Sequence, residues 1–300
     1  MSSQLKGTAV DVLVIGLGVV LILIVLRDMF HTLGHPLGQG SLSGIVMRTL
    51  WHLSHRAEGH GPLTKLVGPF GLLTVMTTWG ALVVSGWALV YWPFIPTGFV
   101  FSAGPPAGTA GRALDALYLS LVTISTLGFG DVVPDLAWLR VIVPLEALFG
   151  LALLTVAVSW TLQIYPALTR RRALAIQLAL LRRSDASTTL QATEAGATAA
   201  LLRSVTDSII AVRVDLTQYS ETYYFRDEPD LSLAATVGFA VELARIGTMS
   251  ARADVRFTAT TLDLALTDIA GILDAKFLHI GGSTIEVFEA YAADHGQSTR

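Results

Sequence analysis

The stretch TISTLGFGDVVP, Thr123 to Pro134, lies between two long apolar runs and decides how the chain is read. At its centre, Thr126-Leu127-Gly128-Phe129-Gly130-Asp131 sets two glycines on either side of an aromatic residue. Such a sextet reads as an ordinary turn or as the narrowest part of a pore. Glycine reaches left-handed conformations that Leu or Phe resist. Alternating it with other residues lets successive carbonyls point to one side. In a bilayer, a non-helical backbone is tolerated only where it is buried in protein or lines a water- or ion-filled cavity. The surroundings of the sextet therefore choose between the two readings.

Of 300 residues, 52% are hydrophobic and only 14% are charged, with a mean hydropathy of +0.60. A soluble domain carries about 25% charged residues. The deficit points to a membrane protein. The net charge of -3 gives no sign of a nucleic-acid partner. No cysteine occurs, which removes disulfides, thiolate metal sites and cysteine nucleophiles together. Nor does any P-loop, zinc signature or triad-like constellation, so an enzyme is not expected. The predominance of Arg over Lys hints at a bacterial source, and hence at the inner membrane of the cell.

Three stretches suit crossing helices, expected at 1–30, 66–92 and 136–165. The first is apolar and uncharged from Val12 to Leu26. The second runs uncharged from Leu66 to Trp92, with Tyr91 and Trp92 suited to an interfacial belt. The third is interrupted by Arg140 and Glu146. Between the last two, 113–126 is too short for a full crossing and reads as a re-entrant helix. Cations gather in the connection 31–65 and directly after the third stretch, at Arg170-Arg171-Arg172 and Arg182-Arg183. The positive-inside rule then puts both of those regions in the cytoplasm. Three crossings leave the N-terminus and the sextet outside. No crossing helix carries Arg or Lys at every third position, so a charged-helix voltage sensor is not expected.

In this context TLGFGD resembles the selectivity-filter signature of the potassium-channel family, usually T-V-G-Y-G-D, with Leu127 in place of Val and Phe129 in place of Tyr. Pro134, Trp138 and Arg140 follow as in simple bacterial potassium channels, and Gly150 falls where such channels place an inner-helix glycine. The resemblance covers about Leu114 to Leu162. It implies an all-α pore domain over 66–165: outer helix, pore helix, filter at 126–131 and inner helix. Function would be passive K⁺ conduction through a homotetramer. Carbonyls of Thr126, Leu127, Gly128 and Phe129, followed by Gly130, would hold the K⁺ ions; the Thr126 hydroxyl adds the innermost ring. No other cofactor is implied. Asp131 would sit at the outer mouth. The glutamate that supports this aspartate in some relatives is replaced by Val122, leaving Tyr118, with Ser125, as expected support.

Glu146 lies one turn before Gly150. An intramembrane carboxylate is a functional candidate, but bonding to pore-helix hydroxyls such as Ser120, Thr123 or Ser125 accounts for it more simply. Leu151, Leu154 and Val158 are expected to line the cavity, where an apolar ring gates by dewetting. Gly150 reads equally as hinge and as close packing. His31/His35 and His52/His55 have helical spacings that would suit a shared metal or a pH response. With no carboxylate cluster beside them, they read instead as interfacial histidines on an amphipathic segment, Leu42 to His55.

Residues 166–300 are Ala-rich, charged and helix-periodic, with segments at about 188–222, 230–250, 253–279 and 283–293 and a Gly281-Gly282 stop. They read as a cytoplasmic helical domain that assembles the tetramer, binds an unidentified regulator, or does both. YYFRDEPD, Tyr223 to Asp230, reads as a polar loop. The alternatives to a potassium channel are a weakly selective cation channel and a membrane-tethered signalling protein with a non-conducting pore.

Overall fold

The computed structural model describes residues 2–34, 40–56, 66–102, 108–189 and 194–297. His35, His60 and Lys65 lie outside these residues. The chain is mostly helical and divides into two compact units: Met1–Val46 with Gly71–Thr161, and Met47–Phe70 with Leu162–Arg300.

Three helices supply segments long and apolar enough to cross a membrane: Ala9–Thr32, Val67–Phe94 and Leu139–Arg183. They belong to α1 (Ser2–Gly34), α3 (Val67–Tyr91) and α5 (Leu139–Arg183). The first and second of these helices cross where Gly18 faces Gly86. A methyl group on Gly18 would overlap the Gly86 carbonyl oxygen. Small residues at such a crossing let the two backbones approach closely.

Asp28, at the end of the first apolar run, is fully buried. Its carboxylate accepts the Leu42 and Ser43 amides at 2.7 and 3.1 Å. Those amides open α2 (Ser41–Arg56), so the anion offsets the positive end of that helix. Trp79 Nε1 donates to the same carboxylate at 2.9 Å.

Between the second and third apolar helices, the segment expected as a re-entrant helix forms α4 (Gly108–Ile124). It starts before Ala113 and stops two residues short of Thr126, because the backbone turns left-handed at Thr126, φ 57°. An all-α reading also misses a small antiparallel ribbon, β1 (Phe99–Phe101) with β2 (Val132–Pro134). Phe101 faces Val132, and the Ser102 amide bonds the Asp131 carbonyl at 2.9 Å. Chain leaving the sextet is thus tied to chain leaving the second apolar helix.

The inner helix, expected over 136–165, begins at Leu139 and runs unbroken through Pro166 to Arg183. Proline removes one helical hydrogen bond, and here the ladder resumes beyond it.

In the second unit, a short α6 (Ala186–Thr189) precedes α7 (Ala195–Gln218), α8 (Leu233–Thr248), α9 (Ala253–Leu273) and α10 (Thr284–Asp294). Leu202, Val205, Ile209, Val212 and Leu216 bury one face of α7 at helical spacing. Ser283 and Glu286 form a reciprocal capping box that starts α10 after the left-handed Gly281.

Two sequence expectations are corrected here. YYFRDEPD does link α7 to α8, but it is not polar throughout: Tyr223, Tyr224 and Phe225 are buried. Arg171, itself buried, donates to the Thr222 and Phe225 carbonyls and to Asp227. Asp227 also takes Arg172, and Asp215 takes Arg170. Burying aromatic rings and pairing these arginines both need this segment inside. Nor is the apolar face of Leu42–His55 wholly free for lipid. Met47 and Trp51 are buried; Trp51 Nε1 donates to Asp294 at 2.9 Å, and the Arg226 guanidinium lies 4.3 Å over its ring. His55, itself exposed, meets the Asp294 carbonyl through Nε2 at 2.9 Å.

His295 closes this cluster, with Nε2 2.8 Å from the Tyr223 carbonyl and Nδ1 3.1 Å from that of Tyr291. Burial pushes its imidazole down to about 4, with Arg171 acting in the same direction against both carbonyls and Asp294. The unfolded chain takes up the proton near pH 6.5. The stabilisation is therefore complete above about 6.5 and is lost as pH falls toward 4, by ~3 kcal/mol. Protection factors of the α7–α10 amides in full-length protein, with exchange corrected for its intrinsic pH dependence, should fall across that window. His295→Gln should flatten the pH dependence there.

Candidate functional site

The site is assembled from the end of α4 outward. Its last turn closes without a side-chain bond to the sextet: Ser125 Oγ donates to the Leu121 and Val122 carbonyls, 2.7 and 3.2 Å away. Ser125 therefore finishes the helix, contrary to its expected support of the sextet. The Leu127 and Gly128 amides fold back onto the Val122 carbonyl at 3.0 and 3.4 Å. Val122 therefore anchors the segment through its backbone, a role its side chain does not reveal.

From there the backbone alternates in hand. Thr126, Gly128 and Gly130 have φ of 57°, 53° and 76°, whereas Leu127 and Phe129 do not adopt positive φ. Alternating left- and right-handed residues turns successive peptide carbonyls to the same side of the chain. Among the described residues, no hydrogen bond is donated to the carbonyl oxygens of Thr126, Leu127, Gly128 or Phe129. All four residues and Gly130 are exposed on the protomer, Leu127 at 58% and Phe129 at 65%. Glycine suits 128 and 130 on conformational grounds. Thr126 takes the same left-handed conformation despite its branched side chain, which is uncommon and costs energy.

Beyond the glycines, the segment is fixed by Asp131. Tyr118, in the second half of α4, donates its hydroxyl to Asp131 Oδ2 at 2.7 Å. The structure brings these two residues together across the whole sextet. Behind them lies an apolar core of Ala88, Val90, Tyr91, Ile95, Phe99, Ala116, Leu119 and Leu139. Trp138 packs edge-on against Phe94 at 4.8 Å, and Arg140 Nε donates to the Pro134 carbonyl at 3.2 Å.

Glu146 is fully buried between three helices. Ser120 Oγ donates to its Oε1 at 2.5 Å and the Tyr91 hydroxyl to its Oε2 at 2.6 Å. Of the hydroxyls proposed from sequence, Ser120 makes this bond, whereas Ser125 bonds within its own helix. Tyr91 was missed, because its aromatic, span-terminal position suggested an interfacial belt. Gly150 is buried against the end of α4, and a methyl group there would overlap the Ile124 carbonyl oxygen. Leu151, Leu154 and Val158, by contrast, are more than half exposed on the protomer.

A chemical reading follows from the free carbonyls. Aligned, unpaired carbonyl oxygens are ligands for a hard, weakly hydrated cation. One chain presents a single wall of them, and the site is not closed.

Residues 97–165 match the model of a family described as "Ion channel". A membrane protein, YdjJ of Bacillus subtilis (strain 168), is 25% identical over 148 residues, 49% of this chain and 42% of that protein. The aligned part thus spans less than half of that relative's length. No solved structure matches the chain. The family match covers the whole stretch from the ribbon through the sextet to the apolar helix after it. This region is thus similar to an ion-channel domain, and it lies among helices long and apolar enough to cross a membrane.

Removing the Tyr118 hydroxyl leaves Asp131 without that donor, at a cost of ~1 kcal/mol. In Tyr118→Phe, the amides of 127–131 should exchange about fivefold faster while the α7–α10 amides are unchanged. Unaltered exchange at 127–131 would mean that the bond does not hold the segment.

Proposed function

We propose that the chain is one subunit of a homotetrameric, potassium-selective channel. Four copies around an axis would stack rings of the Thr126, Leu127, Gly128 and Phe129 carbonyls, with the Thr126 hydroxyl forming the innermost ring. These oxygens would replace the hydration shell of K⁺, which is the conducted ion rather than a cofactor. The alternating hand of Thr126, Gly128 and Gly130 carries the reading, because it aligns the carbonyls and leaves them without donors.

The remaining parts take roles around that filter. Asp131, held by Tyr118, would lie at the outer mouth and raise local cation concentration. The C-terminal end of α4 would direct partial negative charge toward the cavity. Leu151, Leu154 and Val158 would line that cavity, where an apolar ring gates by dewetting. Gly150, buried against α4, is better suited to packing than to a hinge. In the proposed topology the N-terminus and filter lie outside the cell membrane, and the helical unit after α5 lies in the cytoplasm. That unit would assemble the tetramer or respond to a regulator.

Purified protein in liposomes should carry ⁸⁶Rb⁺ or K⁺ down a gradient. Gly128→Ala should abolish that flux with assembly retained, since a side chain at a left-handed residue tilts the carbonyls on either side. Normal flux in Gly128→Ala would refute the assignment. Reversal potentials in mixed K⁺ and Na⁺ should follow K⁺; equal permeabilities would favour a weakly selective cation channel instead.

A further inference from the structure

The buried carboxylate of Glu146 and the buried Gly150 sit four residues apart on α5. Their partners on α4, Ser120 and Ile124, are also four residues apart. One helical turn separates residues i and i+4, so the two pairs form two successive contacts along one line between the helices. The first is a hydrogen bond from Ser120 Oγ to Glu146 Oε1 at 2.5 Å. The second is close contact of the Ile124 carbonyl and side chain with the bare Gly150 backbone. Glu146 extends the first contact to α3 through Tyr91 at 2.6 Å.

We propose that these contacts are a two-rung brace that sets the position of α4 on α5, making Glu146 a positioning residue for the Thr126–Gly130 segment and Gly150 a packing contact rather than a hinge. This rests on the channel reading above. Ile124 is the last residue of α4 and lies two residues before Thr126. Any slip of α4 along α5 therefore moves the carbonyls that follow. Ser120, Glu146 and Tyr91 are all fully buried. Deleting either oxygen partner strands a polar group in an apolar interior, so the contact is costly to leave half made. Glycine at 150 supplies the complementary requirement, since any side chain would push α4 outward.

Conduction of the full-length protein in planar bilayers tests the brace. Ser120→Ala, which removes one buried bond, should lower the K⁺/Na⁺ permeability ratio by about tenfold, and Glu146→Ala, which removes two, should lower it at least as far. Glu146→Gln should hold the ratio within about twofold, because an amide can accept from one hydroxyl and donate to the other. Gly150→Ala should reduce the same ratio. A generic structural role would shift the melting temperature without altering selectivity. An unchanged ratio in Glu146→Ala and Ser120→Ala, or a Gly150→Ala variant changed only in open probability, would overturn the proposal. Should Glu146→Ala fail to assemble, Ser120→Ala and Tyr91→Phe carry the test. Should the wild-type protein conduct nothing, the channel reading fails by itself. The brace is then judged on the Ser120→Ala/Glu146→Ala melting cycle, where additive shifts refute it and strong coupling supports it.

Discussion

Peptide carbonyls without donors are the constraint on which the membrane part of this protein depends. A buried, unpaired carbonyl costs about as much as a lost hydrogen bond. The backbone from Thr126 to Phe129 exposes four carbonyls on the protomer with no donor to them among the described residues, and they meet that cost once an assembly buries them. A chain tolerates this only if something else meets those oxygens, and if the segment cannot relax into a conformation that pairs them. Much of the surrounding structure prevents that relaxation. Val122 holds the Leu127 and Gly128 amides from below. Asp131 is held by Tyr118 on one side, and its carbonyl by the Ser102 amide on the other. The ribbon of Phe99–Phe101 with Val132–Pro134 secures the chain beyond.

Carboxylates recur as junctions in this fold, and the side chains of Asp28, Glu146 and Asp227 are buried. Asp28 joins α1, the start of α2 and Trp79. Glu146 joins α3, α4 and α5. Asp227 gathers Arg171 and Arg172, while Asp294 collects Trp51 and Tyr223. Asp28, Glu146 and Asp294 each take donors from more than one element, whereas Asp227 takes two neighbouring arginines of α5. A carboxylate accepts at several lone-pair positions, so one side chain can align helices that apolar packing alone would leave free to slide. The price of burial is that no partner can be removed cheaply.

The sequence made some of this legible. Long uncharged runs reveal crossing helices because the bilayer imposes length and apolarity. Gly128 and Gly130 announce left-handed backbone because few other residues accept it. The Tyr118–Asp131 contact was expected from the resemblance, since Val122 stands where some relatives carry the supporting glutamate. Other features depend on distant residues. Nothing near Glu146 in sequence points to Tyr91, 55 positions away. Nor does the sequence around Asp28 point to the helix-capping partners that bury it, which lie beyond a turn. Tyr223 and Trp51 looked like loop and membrane-surface residues because the rings that bury them come from α10 and the segment after α9. Thr126 gave no sign of its left-handed backbone, since its side chain favours other conformations.

The central claim is that these carbonyls become cation ligands when four copies meet. The most direct measurement is an experimental structure of the assembled protein in Tl⁺, with anomalous scattering used to locate the ions. The account predicts a four-fold axis bearing a row of Tl⁺ peaks between the carbonyl rings of Thr126 to Phe129. An assembly with no such axis, or with an axis whose Thr126–Phe129 carbonyls face protein and hold no Tl⁺, would contradict it.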